Sequence, residues 1–124
     1  MGRQRYDESL KRFTLPAAPS DQSANQFKVV SGLGALVTSA GAGGVGILQN
    51  RPIQGEPESI GFAGLSIAIS GGTVTAGSKV TNDTAGKIVN AATGNTPIGW
   101  AVTGTSNADE YVTILVVPGG GQLN

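Results

Sequence analysis

Glycine is what most constrains this chain: 20 of its 124 residues lack a side chain, more than twice the average usage of about 7%. Each glycine loses extra backbone entropy on folding and lowers helix propensity by about 1 kcal/mol relative to alanine. Spread along the whole length, they disfavour long helices and favour short strands joined by tight turns. The rest of the composition removes chemistry. There is no cysteine and no histidine, so disulfides, thiolate nucleophiles, imidazole bases and zinc sites built on those residues are excluded. Charged residues are 13% of the chain, eight basic against eight acidic, which offers no global field for nucleic acid or an anionic membrane. No stretch approaches the roughly 18 to 20 consecutive apolar residues of a membrane span. The N-terminal MGRQRYDESLKRF has no apolar run of the kind a secretory signal needs, so synthesis in a cytoplasm is expected.

Two regions differ in grammar. Residues 1–26 hold Arg3, Arg5, Lys11 and Arg12, with Tyr6, Leu10, Phe13 and Leu15 as their only large apolar groups. Such a segment buries too little to offset its own ordering entropy. Tyr6, Leu10 and Phe13 follow i, i+4, i+7 spacing, which predicts one face of a short helix, and Asp7–Lys11 and Glu8–Arg12 are i, i+4 pairs in the favourable acid-first order. Two readings stay open: a disordered tail, or an arm that orders against another protein through Arg3, Arg5, Tyr6, Leu10, Lys11, Arg12 and Phe13. Pro16 and Pro19 keep the link that follows extended.

From Phe27 to residue 118 the chain reads as an all-β domain, a small sandwich or barrel, with residues 119–124 as a flexible tail. FKVV, GALVT, VGILQ, GLSIAIS, KIVN, IGWAVT and YVTILVV are strand-like, rich in Val, Ile and Thr. In Leu65–Ile69 the large residues alternate, as a sheet with one buried face requires, and Gly71–Gly72 predicts a tight hairpin back into Thr73–Thr75. Asn82–Gly86 and Ser106–Asp109 predict two further turns. Ile98, Trp100 and Val102 read as one inward face, with Trp100 a core anchor, matched across a hairpin by Val112, Ile114 and Val116.

No catalytic constellation emerges, and the chain is not expected to be an enzyme or to need a cofactor or metal. Gly41-Ala42-Gly43-Gly44-Val45-Gly46 matches the dinucleotide fingerprint letter for letter, but that motif works only where a helix opens at the third glycine. Here Pro52 would interrupt such a helix after barely a turn, and the acid that should follow about 20 residues on is missing. Glu56 and Glu58 around Pro57, and Asp109–Glu110, read as solvated turn groups rather than paired catalytic acids. Asn82-Asp83-Thr84 is formally a glycosylation sequon, which carries no meaning without a secretory route.

Between residues 45 and 118 the chain resembles the small capsid decoration, or cement, proteins of tailed bacteriophages. The resemblance lies in an ordered series: a strand ending in Gly46–Pro52, the Gly55-Glu56-Pro57 turn, the Thr75–Val89 block, the Ile98–Ala101 strand and the terminal Tyr111–Val117 strand. It implies a β-rich structural virion protein on the outer surface of the capsid. There it would bind the major capsid protein and tie adjacent subunits together, commonly as a homotrimer, with no nucleic acid or membrane partner. The alternative reading is a β-structured adhesion or tail module that binds glycan or a host surface protein.

Overall fold

A computed structural model describes residues 10–118, and all regular structure among them is β. Eight strands run in chain order: β1 (Lys11–Leu15), β2 (Val29–Val30), β3 (Gly46–Leu48), β4 (Glu58–Gly71), β5 (Lys79–Asn82), β6 (Ile88–Asn90), β7 (Gly99–Ala101) and β8 (Ala108–Val116). The 14-residue β4 belongs to two layers. Its first half pairs antiparallel with β1 on one side (Leu15 opposite Glu58, Phe13 opposite Ile60) and with β3 on the other (Ile47 opposite Gly61). Its second half pairs antiparallel with β8, from Gly64 opposite Val116 to Gly71 opposite Ala108, and in parallel with β6. The order β4–β6–β5–β7–β8 returns to β4 and closes a five-stranded barrel. Gly64, where the pairing passes from β1 and β3 to β8, has φ at 113°, a conformation that a Cβ would disfavour.

The barrel is filled by Val80, Ile88, Ala101, Val112, Ile114 and Val116, with Val29 and Ile47 closing one side. A smaller cluster of Val30, Leu48 and Ile60 lies under the first sheet and is covered by Phe13 and Leu15. The expected hairpins across Asn82–Gly86 (β5 to β6) and across Ser106–Asp109 (β7 to β8) are both present.

Several expectations are corrected. Lys11–Leu15 is a strand, not the end of an amphipathic helix: its backbone groups find partners on β4, which outweighs a local periodicity with nothing helical to pack on. The chain thus joins the β-structure well before Phe27, and Ala18, Gln22 and Gly55 add backbone hydrogen bonds that hold 16–26 against the 50–57 loop. Gly71–Gly72 is not a hairpin turn. Both edges of β4 are occupied there by β6 and β8, so the chain leaves the sheet and Val74 bridges Thr105 instead. GALVT contributes a single bridge, Leu36 to Val30.

The phase of two strands is inverted. On β4 the small Ser66, Ala68 and Ser70 point into the barrel, while Leu65, Ile67 and Ile69 point out. On β7, Gly99 and Ala101 are buried and Trp100 is exposed, so Trp100 is not a core anchor, and Val102 is exposed as well. The reason is barrel width. The interior is already filled by Val80, Ile88, Val112, Ile114 and Val116, and a Cβ at Gly99 would run into the carbonyl of Leu115 on the adjacent β8, so the inward positions of β4 and β7 accept only small residues. Gly99→Ala is therefore expected to lower unfolding free energy by about 2 kcal/mol or more, whereas Gly72→Ala, whose Cβ meets nothing within 4 Å, stays within about 0.5 kcal/mol. Urea melts of the two variants check this; equal stabilities would contradict the close-approach reading.

Candidate functional site

Of the seven residues expected to contact a partner, Arg3, Arg5 and Tyr6 lie outside the described residues, as does the 119–124 tail. Lys11, Arg12 and Phe13 are brought onto β1, with Leu10 just before it, but not onto one face. Phe13 turns onto the domain itself, its ring 5.7 Å from that of Phe62 and tilted at 51°. Leu10 is half-buried against Gly61. Lys11 and Arg12 are exposed. The outer edge of β1 has no strand partner among the described residues, and basic side chains on an open edge discourage non-specific strand pairing. Beside Phe13 and Phe62, an apolar cleft of about 450 Å³ extends to Val45, Ile98, Val116 and Pro118.

The second surface is the outside of the barrel, which the inverted phase makes apolar. Register places Leu65 opposite Leu115, Ile67 opposite Thr113, Ile69 opposite Tyr111, and Trp100 beside Leu115. Tyr111 is 68% exposed and Ile67 44%, with Leu115 at 38% and Trp100 at 37%. Tyr111 is held by an edge-on contact with Phe27 at 5.9 Å, and Lys79 lies over the Trp100 ring at 5.3 Å. Sequence reading missed this surface because it assumed that large residues face inward. The available clue was the strict smallness of the opposite phase: Ser66, Ala68 and Ser70, then Gly99 and Ala101.

The remaining motifs have local structural roles. The glycines of 41–46 lead into strand β3 rather than a helix, and the Gly43 amide donates to the side-chain oxygen of Asn82 at 2.8 Å. Asn82 is fully buried, its side-chain nitrogen donating to the carbonyls of Ser39 and Asp83, so the sequon asparagine is spent on anchoring the glycine loop. Asp109 pairs with Lys87, and this hydrogen bond holds the ammonium above its ordinary pKa. Among the described residues, no group of three or more acids, His or Cys is placed to hold a metal.

Glu58 departs from its expected solvated state. It is buried at the start of β4 beneath Gly34 and Leu15, and neither carboxylate oxygen has a hydrogen-bond partner. Desolvation pushes its pKa above the ordinary glutamate value. A carboxyl raised in this way contributes fully at pH below its unfolded pKa and loses stability as pH rises through the folded value. Glu58→Gln cannot ionise, so its melting temperature should match wild type near about pH 4 and exceed it at neutral pH. Parallel pH profiles for the two proteins would show that Glu58 is not the destabilising charge.

Comparison with known proteins adds identity to this geometry. No curated protein matches the chain. Among solved structures, the N base of the head fiber gp8.5 in bacteriophage phi29 is similar, with a TM-score of 0.64 at 16% identity, over 87% of this chain and 94% of that one. At that identity the likeness is one of fold. The family model described as phage cement protein matches residues 11–118, which takes in β1 and every later strand. The chain belongs to the phage cement protein family, and is a structural protein of the phage particle.

Proposed function

We propose that this chain binds the outside of the assembled capsid and cements adjacent major capsid subunits, acting there as a homotrimer and without catalysis. The observation that carries the reading is the family match over residues 11–118. The surfaces support it: an apolar outer barrel face and an open, basic-edged strand are features of a docking module. A protein that binds the assembled lattice more tightly than free subunits stabilises the lattice by mass action, and many modest contacts repeated over a shell add through multivalency. The second reading, an adhesion or tail module for glycan or host protein, draws on the exposed aromatics Trp100 and Tyr111.

Shells assembled from the phage's major capsid protein without this chain provide the test. Added protein should co-sediment saturably with them and raise their melting temperature. No binding, or equal binding to dissociated subunits, would reject the cement reading, and binding to glycan or host surface instead would favour the second.

We also propose that the arm residues Arg3, Arg5 and Tyr6 reach the capsid. Deleting residues 1–26 would remove β1 and Ala18 and is expected to destabilise the domain, so the informative variant deletes only residues 1–9. It should melt as wild type and bind shells at least about tenfold more weakly, a loss of about 1.4 kcal/mol. Unchanged affinity would confine the contact to the β-domain.

A further inference from the structure

Resting on that capsid-binding reading, we infer that the outer barrel face formed by Leu65, Ile67, Ile69, Tyr111, Leu115 and Trp100 is the surface that seats on the capsid, and that its counterpart is an apolar patch of the capsid subunit ringed by carboxylates. The first ground is the inverted phase. Each of these side chains alternates with a small buried residue, so a strand that could have placed its large groups inside presents them to the exterior, next to one another by register. The six patch residues are uncharged; Lys79 lies over Trp100 at one end, and Asp109, paired with Lys87, and Glu110 precede Tyr111 at the other.

The second ground is the charge of its rim. Arg12 lies beside Leu65 and Ile67, Arg51 beside Ile69 and Tyr111, and Lys79 over Trp100. None of the three has a carboxylate within salt-bridge distance among the described residues, where the single ion pair is Lys87–Asp109. Four of the six side chains are more than a third exposed, Tyr111 the most at 68%. A modest apolar surface serves on a lattice, where its copies act together.

The experiment compares shell binding by the wild type, Ile67→Asn, the double variant Arg12→Glu/Lys79→Glu, and Leu33→Ser as a control. Leu33 is an 82% exposed apolar residue outside the face. Thermal melts establish that each variant is folded, and sedimentation without shells reports its association state. Ile67→Asn should bind at least about tenfold more weakly. The charge-reversed double variant should also bind more weakly and lose the salt dependence of wild-type binding. Leu33→Ser should bind as wild type. If the wild type binds shells and both Ile67→Asn and the double variant bind equally well, the face is not the seat, while the cement reading stands. If Ile67→Asn instead dissociates a wild-type oligomer in free solution and leaves shell binding intact, the face joins copies of this chain and the inference is overturned. Failure of the wild type itself to bind would reject the cement reading and this inference with it.

Discussion

Strand β4 is the constraint on which the rest of the structure depends. Its 14 residues serve as the central strand of one sheet between β1 and β3, then as a stave of the barrel between β6 and β8. Both layers share one backbone, and the apolar cleft lies where the pairing of β4 passes from one to the other. Two of the four strands that pair with it, β3 and β6, have only three residues, and such strands are marginal by themselves. They are held because β4 offers hydrogen-bonding partners along both edges. Glu58, its first residue, is buried without a partner, so this shared strand begins with a local cost that the pairing on either side offsets.

How much of this could be read from the sequence followed the distance over which each decision is made. The β5–β6 and β7–β8 hairpins were legible because Asn82–Gly86 and Ser106–Asp109 carry their own turn chemistry. The all-β class was legible because glycine frequency and Val/Ile/Thr runs are properties of composition and local pattern. Lys11–Leu15 was not, because its partners lie more than 40 residues away on β4 and its spacing imitates a helix. The facing of Leu65–Ile69 was misread for a deeper reason. Alternation shows that two faces differ, but which one is inside depends on barrel closure, and closure selects the face that fits.

That selection links core to surface. In an open sheet, large apolar groups gain most by turning inward. A closed barrel of five strands has a narrow interior, already filled by Val112, Ile114 and Val116 of β8 together with Val80 and Ile88. The facing positions on β4 and β7 are left with room only for Ser66, Ala68, Gly99 and Ala101. The large residues of those strands must then go outside, where each remains unfavourably hydrated until something covers it. The small residues that face the interior and the apolar exterior are two consequences of one geometric requirement.

The same reasoning bears on why a capsid-binding protein needs so little chemistry. A lattice supplies many identical, fixed sites, so the free energy per contact can be small and the selectivity must come from shape and charge placement. A chain with zero formal net charge has no long-range attraction to draw it onto the wrong polyanion. Within that neutrality the charges are sorted by position: Lys87 and Asp109 neutralise each other at one end of the barrel, while Arg12, Arg51 and Lys79 stand around the apolar face. Local asymmetry of this kind acts only within about a Debye length, some 8 Å in physiological salt. It therefore orients the module at contact rather than recruiting it from afar.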